Sequence, residues 1–249
     1  MQPKERWTSK DWRVPFPQQA VAKGEVPMKY KVARQRMVEE QLLGRQLFSP
    51  EVIKAFERVP RELFIPPEFR HLAYKDRALP IGEGQTISQP YVVALMTEAL
   101  GIPKRAKVLD IGTGSGYQAA ILAEMGAQVI TIERQGVLAR GASLRLEALG
   151  YDEIEVVAGD GSLGWLPEAP YDGILVAASG PRIPTALLQQ LKVDRRLVMP
   201  LAIGSVEQVL VQITSKGRGR YSRRDFGSVL FVPLIGEEGW DSDGRQRWW

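Results

Sequence analysis

The chain has 249 residues, of which 44% are hydrophobic and 25% are charged, as expected for one sizeable α/β domain with additions. It contains no cysteine and one histidine, so disulfides, thiolate chemistry and multi-histidine metal clusters are excluded, and no metal is expected. A net charge of +4 does not require a nucleic-acid partner. No apolar run approaches the roughly 20 residues that span a bilayer. Because residues 1–7 also lack the apolar core of a secretion signal, we expect a cytoplasmic protein without membrane or nucleic-acid partners.

The N-terminal part is interpreted as an arm, two helices and a long loop. Residues 1–30 carry scattered charges and prolines without a clear period, which is typical of a flexible arm. Helices are predicted over 31–43 and directly after Ser49, which would be an N-cap. The polar, Gly/Pro-rich residues 79–90 lead straight into a third helix, 91–100. Such a long segment in a compact domain is predicted to be an ordered active-site loop.

From residue 107 onwards, strand and helix patterns alternate, which predicts a parallel sheet covered by helices on both faces. The basic run 215–220 is too short for a helical crossover, so the last two strands are expected to be antiparallel. Without interleaved aromatics, this run indicates a solvated hairpin tip rather than a nucleic-acid site. Residues 236–249 are interpreted as a mobile tail. The predicted strands are 107–111, 127–132, 154–158, 172–177, 196–200, 207–214 and 228–233, with helices near 116–126, 136–149 and 184–191.

A glycine-rich turn follows the first of these strands. Residues 108–117 read Val-Leu-Asp-Ile-Gly-Thr-Gly-Ser-Gly-Tyr, and the alternate glycines let the backbone approach a ligand closely. The spacing does not match the dinucleotide fingerprint, because the sixth position from Gly112 is Tyr117. Asp110, at the end of the strand, would repel a pyrophosphate and suit a cation. The turn therefore favours S-adenosyl-L-methionine as ligand, and an ordinary strand–helix turn is the alternative.

Polar and small residues follow the next strands, and the carboxyl ends of parallel strands are where open sheets bind ligands. Glu133 comes about 20 residues after the glycine turn, where an acid suits a ribose diol. Asp160 lies between two glycines, where its carboxylate could accept a hydrogen bond from an adenine amino group. The small residues 177–180 after the fourth strand leave room for a ligand. Four such signals at one sheet edge predict a single site.

Several short motifs carry a further signal: Val59–Arg61, Phe64–Pro66, Ala73–Tyr74 with Asp76, Gly84–Tyr91, Asp110–Tyr117, Gly159–Gly161 and Phe231–Leu234. Over about residues 31–234 they resemble the protein-L-isoaspartate O-methyltransferase family. The Gln-Thr-Ile-Ser-Gln-Pro run is the specific part, since methyltransferases of many substrates share the glycine turn. The resemblance implies a class I, Rossmann-like fold: a seven-stranded, mostly parallel, doubly wound α/β sheet with added N-terminal helices. We expect one domain over 31–235, with helices and active-site loop in 31–101 and the cofactor-binding sheet in 102–235.

The resemblance also implies the reaction, which is methyl transfer from S-adenosyl-L-methionine to the free carboxylate of L-isoaspartyl residues in damaged proteins or peptides. S-adenosyl-L-homocysteine is then the product, and we expect a monomer. A carboxylate with a pKa near 3.5 is ionised at neutral pH, so no general base is needed. The hydroxyl of Ser88, the active-site residue by resemblance, would orient this carboxylate. No Gly-x-Ser-x-Gly elbow supports a nucleophilic role for it, and helix capping is its alternative role.

The residues expected to form the site follow from these motifs. Tyr74 and Asp76 are expected to pin the active-site loop, and His71 is interpreted as structural. The expected cofactor-binding residues are Gln85, Thr86, Ile87, Asp110, Gly112, Thr113, Gly114, Gly116, Tyr117, Glu133, Arg134, Gly159, Asp160 and Gly161, and the expected substrate contacts are Ser88, Gln89, Ala177 and Ala178.

Two departures from the family pattern and two alternative functions remain. Residues 193–196 read Val-Asp-Arg-Arg where the family usually has a double glycine before Arg, which we expect to alter a turn. Residues 177–181 read Ala-Ala-Ser-Gly-Pro where an alanine-rich run is usual, close to the expected acceptor pocket. The alternatives are a class I methyltransferase for a small molecule or RNA, and a non-catalytic S-adenosylmethionine-binding module.

Overall fold

The structure, a computed structural model, describes residues 27–45, 48–204 and 207–241. The helices are α1 (Met28–Met37), α2 (Pro50–Arg58), α3 (Pro90–Leu100), α4 (Tyr117–Glu124), α5 (Gly136–Ala148) and α6 (Thr185–Gln189). The strands are β1 (Leu79–Gly82), β2 (Gln85–Ile87), β3 (Lys107–Ile111), β4 (Gln128–Glu133), β5 (Glu155–Ala158), β6 (Tyr171–Val176), β7 (Leu191–Ile203), β8 (Glu207–Ser215) and β9 (Tyr221–Ser228).

A seven-stranded sheet in the order β5-β4-β3-β6-β7-β8-β9 forms the centre of the fold, and β1 and β2 make a separate antiparallel hairpin. The strands from β5 to β7 are parallel, whereas β8 and β9 each run antiparallel to the preceding strand. The central strands β3, β4 and β6 are almost wholly buried, as their continuous apolar runs predict for a sheet covered on both faces. The predicted fold class is confirmed.

The connections of β3 determine where a ligand can bind. The chain passes from β3 to β4 on one side, and β6 later pairs with the other side of β3. At such a change of direction the loops after the strands separate and leave a crevice at their carboxyl ends. The turn after β3, which carries the glycines, therefore opens at this crevice.

The N-terminal helices are fixed to the sheet through α4. The rings of Phe56 on α2 and Phe64 in the following 3-10 turn meet the ring of Tyr117 edge-on, with centroid distances of 6.1 and 5.4 Å. All three side chains are buried, and burying each phenylalanine contributes about 1.5–3 kcal/mol. This cluster joins the N-terminal third of the domain to the helix that follows the glycine turn.

Two details at the N-terminus differ from the sequence prediction. The first helix begins at Met28 rather than residue 31, and after Met37 it continues as a π-helix, Val38–Leu42. Ser49 precedes α2 as predicted, but its hydroxyl does not cap the helix, because it donates to Glu98 on α3 at 2.9 Å. The predicted arm lies outside the described residues over 1–26.

The last predicted strand, 228–233, is wrong. A tight turn at Lys216–Arg220 reverses the chain directly after β8, so the antiparallel partner of β8 is β9. The residues of β9 are mostly polar and exposed. The apolar run that follows leaves the sheet edge instead. The backbone N–H of Ser179 donates to the carbonyl of Val232 at 2.8 Å, which carries this run back to the crevice. Of its hydrophobic residues, Leu234 is buried there and Val232 is partly buried, whereas Leu230 is exposed.

The C-terminal segment also differs from the prediction of a mobile tail, which is wrong for residues 236–241. The backbone N–H of Glu237 donates to Asp160 at 2.7 Å, and the indole N–H of Trp240 donates to the carbonyl of Ser179 at 2.8 Å. These contacts hold the segment against the loops after β5 and β6. Residues 242–249 lie outside the described residues.

The departure at residues 193–196 lies in an irregular start of β7. Tyr171 pairs with Leu191 and Gly173 with Arg196, so β7 uses five residues where β6 uses two. Asp194 accordingly adopts a positive φ of 58°, a conformation that glycine adopts without strain. In the described part of the chain, no helix is long and apolar enough to cross a membrane.

Candidate functional site

A cavity lies at the carboxyl end of the parallel strands. Segments that are distant in sequence form it, among them the end of the β1–β2 hairpin, the glycine-rich turn, and the apolar run before the C-terminus. Its lining residues are Gln85, Thr86, Ile87, Ser88, Val93, Met96, Ile111, Gly112, Thr113, Gly114, Ser115, Tyr117, Gln118, Ile132, Glu133, Arg134, Gly161, Ala177, Ala178, Val232, Pro233, Leu234 and Ile235.

The glycine-rich turn forms one wall of this cavity through its backbone. Gly112, Gly114 and Gly116 have φ values of 91°, 52° and 90°, which explains why glycine occupies all three positions. The N–H of Gly112 donates to the carbonyl of Ile132 at 2.9 Å, so the turn is tied to the end of β4. Arg145 on α5 donates from Nη1 to the carbonyl of Ser115 at 2.7 Å. The turn is thus held in place from two sides.

Glu133 brings a carboxylate to the edge of the same wall. One oxygen accepts from the backbone N–H of Gly114 at 2.9 Å, and the other accepts from the backbone N–H of Gln135 at 2.9 Å. The side chain is buried and lines the cavity, so its orientation is fixed before any ligand binds. Such a carboxylate is suited to accept hydrogen bonds from a pair of hydroxyl groups.

Asp110 lies behind the turn and is fully buried, and it does not line the cavity itself. Its Oδ2 accepts a hydrogen bond from Thr131 at 2.8 Å, while Oδ1 has no partner among the described residues. The pKa of Asp110 is raised to about 7, mainly by burial; the hydrogen bond from Thr131 lowers the pKa and the charge of Glu133 raises it. An unpaired buried oxygen and a nearby second carboxylate suit a ligand that carries positive charge, as S-adenosyl-L-methionine does.

The loop after β5 meets the site at Gly161. A Cβ at Gly161 would lie 2.4 Å from Cγ2 of Ile111, so only glycine fits there. Asp160 holds the backbone and hydroxyl of Ser162 with Oδ1 and accepts the N–H of Glu237 with Oδ2. The structure thus places Gly161 at the cavity wall, whereas Gly159 and Asp160 are not among its lining residues. The same is true of Gly116 and Gln89.

Ser88 lies on the opposite wall, directly after the β1–β2 hairpin. The hairpin is anchored by the buried side chain of Ile87, and the carbonyl of Ser88 accepts a hydrogen bond from Nη2 of Arg61 at 2.7 Å. The N-cap residue of α3 is Gln89, so Ser88 lies one residue before the N-cap. This placement leaves the capping position to Gln89 and puts Ser88 against the cavity.

The segment after Ser88 is pinned by residues that the sequence analysis singled out. Oδ1 of Asp76 accepts the backbone N–H of Tyr91 at 3.1 Å, and its Oδ2 pairs with Arg45 at 3.2 Å. The hydroxyl of Tyr74 donates to the carboxylate of Glu62. The predicted pinning role agrees with the contact of Asp76, whereas the hydroxyl of Tyr74 bonds to Glu62, outside the loop, and its pinning role stays a prediction. His71, interpreted as structural, is exposed and is not among the cavity-lining residues.

Part of the cavity wall is formed by residues that the sequence did not predict. Val93 and Met96 on α3 and the run Val232–Ile235 supply apolar surface beside Ser88. The motif Phe231–Leu234 was a usable signal, but its apolar pattern was interpreted as a strand. The helical residues gave no signal, because they fit the ordinary buried face of a helix.

Comparison with known sequences gives one consistent family. The family model described as protein-L-isoaspartate(D-aspartate) O-methyltransferase matches residues 32–239. Protein-L-isoaspartate O-methyltransferase 2 of Pelobacter propionicus is 50% identical over 207 residues, which cover 83% of this chain and 92% of that protein. Protein-L-isoaspartate O-methyltransferase of Methanoculleus marisnigri is 50% identical over 211 residues, covering 84% and 94% respectively.

Solved structures agree with this result. A protein-L-isoaspartate O-methyltransferase superposes with a TM-score of 0.76 and 28% identity, covering 83% of this chain and 67% of that chain. A Plasmodium falciparum protein described by the same activity was solved in complex with S-adenosyl-L-homocysteine. It superposes with a TM-score of 0.70 and 24% identity, covering 83% and 98%, and shares the fold.

Proposed function

The chain belongs to the protein-L-isoaspartate (D-aspartate) O-methyltransferase family, and on that premise we propose that it methylates isoaspartyl carboxylates in the cavity lined by Ser88. Its activity is that of a repair methyltransferase, which transfers a methyl group from S-adenosyl-L-methionine to the free carboxylate of L-isoaspartyl residues in damaged proteins or peptides. What remains to be assigned is the role of each residue in this chain.

The glycine-turn wall is proposed to hold the methyl donor. When bound, S-adenosyl-L-methionine supplies a methyl group on a positively charged sulfur. Gly112 and Gly114 expose their backbone without side chains, and Glu133 presents a fixed carboxylate for the ribose hydroxyls. Asp110 lies behind the turn, where the positive charge of the bound donor would favour its ionised form. The loop that carries Asp160 is proposed to lie near the adenine. The carboxylate of Asp160 also accepts the backbone N–H of Glu237 and so holds the C-terminal segment.

Ser88 is proposed to orient the acceptor. The carboxylate is already ionised at neutral pH, so the chain needs no base to activate it. The hydroxyl of Ser88 donates one hydrogen bond to this carboxylate and aims the other oxygen at the methyl group. A productive arrangement requires the reacting atoms to be about 3–3.5 Å apart, and this fixed geometry is the main catalytic contribution of the protein.

The apolar part of the wall is proposed to exclude water. Val93, Met96 and Val232 lie beside Ser88 in the cavity lining, and none of them offers a hydrogen bond to solvent. In a dry site the attraction between the acceptor carboxylate and the positive donor is stronger than in water. Ala177 and Ala178 leave space for the acceptor at the end of β6.

One observation carries this proposal: a single cavity is lined both by Ser88 and by the glycine-rich turn. These segments are more than 20 residues apart in the chain, and only the fold brings them together. A methyltransferase for a small molecule or RNA needs the turn, but it has no need for this serine-bearing segment at the cavity.

The test is methyl transfer from radiolabelled S-adenosyl-L-methionine to two hexapeptides that differ only in an isoaspartyl or an aspartyl linkage. We expect ester on the isoaspartyl peptide alone, and a loss in kcat of about 100-fold in Ser88→Ala, because the acceptor is no longer oriented. The matched control is Ser143→Ala on the exposed face of α5, which should keep full activity. Equal labelling of both peptides, or of neither, would contradict the assigned acceptor, and full activity in Ser88→Ala would contradict the role of the serine.

The remaining expectations are proposals about the whole protein. We propose that residues 31–235 form one catalytic domain, with residues 1–30 and 236–249 as additions to it. We also propose that the protein works as a cytoplasmic monomer on isoaspartyl proteins, without metal, membrane or nucleic acid. Light scattering of the purified protein, alone and with peptide, tests the monomer directly, and a dimer mass would contradict it.

A further inference from the structure

Arg61 is a fully buried arginine that joins two loops of the acceptor side. It lies in the 3-10 turn after α2 and has no exposed surface. Its Nε donates to the carbonyl of Ala73 at 2.8 Å, and its Nη2 donates to the carbonyl of Ser88 at 2.7 Å. Within the described residues, it is the only side chain hydrogen-bonded to Ser88.

A guanidinium in this place is costly to keep. Burial lowers the pKa of Arg61, which expresses the free energy needed to remove its charge from water. Within the described residues, no carboxylate forms an ion pair with it. Burying a charge costs free energy unless the charge is paired and hydrogen-bonded, and here two backbone carbonyls are the hydrogen-bond partners. Stability alone therefore gives little reason for an arginine here.

The same guanidinium also contacts the donor side of the site. Its Cζ lies 4.9 Å from the ring centroid of Tyr117, within the range of a cation–π contact. Tyr117 is the first residue of α4, directly after the glycine-rich turn, and it lines the cavity. The guanidinium of Arg61 therefore contacts both the backbone of Ser88, which precedes α3, and the ring of Tyr117, which begins α4.

We propose that Arg61 is a positioning residue for methyl transfer, which holds Ser88 at a fixed distance from the glycine-rich turn. This inference rests on the proposed function of Ser88. The fork of an arginine is rigid and planar, so two hydrogen bonds and a ring contact define its position closely. A displacement of about 1 Å at a reacting group can cost on the order of 100-fold in rate, and a lysine at position 61 cannot reproduce the fork.

The test crosses Arg61 variants with Ser88→Ala. Arg61→Lys keeps the charge without the fork, and Arg61→Met keeps the length without either. For each protein, kcat and KM are measured on the isoaspartyl hexapeptide, the Kd for S-adenosyl-L-homocysteine by calorimetry, and folding by thermal unfolding. Arg58→Lys, an exposed ion-pair residue three positions earlier, is the matched control and should behave as the unmodified protein.

We expect Arg61→Lys to lower kcat by about 10- to 100-fold while the Kd for S-adenosyl-L-homocysteine changes by less than about 2-fold. In the Ser88→Ala background the same substitution should change kcat by less than about 2-fold, because the group that Arg61 positions is already absent. Should Arg61→Lys fail to fold, Arg61→Met is judged by the same two criteria.

Three results would overturn the inference. The first is that the kcat losses of the Arg61 and Ser88 substitutions multiply in the double variant. The second is that the affinity for S-adenosyl-L-homocysteine falls together with kcat. Either result would assign Arg61 a general structural role. Failure of both Arg61 variants to fold would do the same. If the unmodified protein forms no ester on the isoaspartyl peptide, the proposed function itself fails and the positioning role with it.

Discussion

The two walls of the cavity are built in different ways. The donor wall, formed by the glycine-rich turn that is proposed to hold the methyl donor, consists of backbone at the carboxyl ends of neighbouring parallel strands. Its turn is tied to the end of β4 by the hydrogen bond between Gly112 and Ile132. The acceptor wall, the part of the cavity around Ser88, is held together by side chains that bond to distant segments. Arg61 donates to the carbonyl of Ser88, and Asp76 accepts the backbone N–H of Tyr91. We therefore expect substitutions on the donor wall to change cofactor binding and substitutions on the acceptor wall to change turnover.

The largest effect is expected from the buried charge behind the donor wall. The pKa of Asp110 is raised to about 7 by burial, so the folded protein holds a proton that the unfolded chain releases near pH 4. The stability gained by this proton is complete below the unfolded pKa and is lost as pH rises through 7. We expect the free energy of unfolding, relative to Asp110→Asn, to fall by about 2–3 kcal/mol between pH 5 and pH 7 and then level off.

Urea unfolding of both ligand-free proteins from pH 5 to pH 8 measures this difference. Asp110→Asn is close to isosteric and cannot ionise, so other titrating groups cancel in the comparison. Parallel curves over the whole range would show that Asp110 is ionised in the folded protein well below pH 7. That result would contradict the raised pKa of Asp110 behind the donor wall.

The second prediction concerns the backbone of the glycine turn. Gly112 has a φ of 91°, and a Cβ there would lie 3.5 Å from the Cβ of Ala177, which also lines the cavity. Gly112→Ala should therefore weaken S-adenosyl-L-homocysteine binding by about 10- to 30-fold, through strain of about 1–3 kcal/mol. Calorimetry measures the change in Kd.

The control for this substitution is Gly150→Ala. Gly150 has a similar φ of 84° after α5, with nothing within 4 Å of the added Cβ. It should lose comparable stability and keep its affinity for S-adenosyl-L-homocysteine. Equal weakening in both variants would attribute the effect to global strain rather than to the donor wall.

The third prediction compares two buried arginines that each hold a site loop. Arg145 donates to the carbonyl of Ser115 in the donor turn, as Arg61 does to Ser88 on the acceptor wall. Arg145→Lys should raise the Kd for S-adenosyl-L-homocysteine by about 5-fold, in line with loss of a hydrogen bond worth about 1 kcal/mol. The KM for the isoaspartyl peptide at saturating donor should change little. A loss confined to kcat would contradict the expectation that substitutions on the donor wall change cofactor binding rather than turnover.

The smallest effect is expected at the C-terminal segment. Trp240→Phe removes the indole N–H that donates to the carbonyl of Ser179 and keeps most of the apolar surface. We expect a loss of about 0.5–1.5 kcal/mol in the free energy of unfolding, with a change in peptide KM of about 2-fold or less. Denaturant unfolding and steady-state kinetics measure the two effects. Phe226→Leu on β9 is the comparison for a reduced aromatic side chain away from the cavity.

Sequence alone could predict most of the donor wall, because its signals are local. The glycine run 112–116, the acid at position 133 and the glycine at 161 each follow a strand, and the position of a strand end is set by its own apolar run. The sheet then brings these residues together without further information. The strand boundaries accordingly agree with the structure within a few residues from β3 to β6.

The acceptor wall could be predicted only in part, because its contacts depend on side chains from distant loops. The motifs around Ser88 and at Val59–Arg61 were both found, but nothing in the sequence pairs Ser88 with Arg61. The run 229–234 shows the same difficulty. Its apolar pattern predicts a strand, whereas tertiary packing uses it to close the cavity next to Ser179.

The outer strand β9 has a consequence for how the molecule behaves in concentrated solution. A free strand edge offers unpaired amide groups to any neighbouring chain, and flat apolar edges invite aggregation. Here the last strand carries Arg223, Arg224 and Asp225, and its pairing with β8 shifts register between Val209 and Val211. Hydrated charges and an irregular register discourage a second molecule from continuing the ladder. The free edge of this sheet is thus poorly suited to pair with the peptide chains that the enzyme methylates.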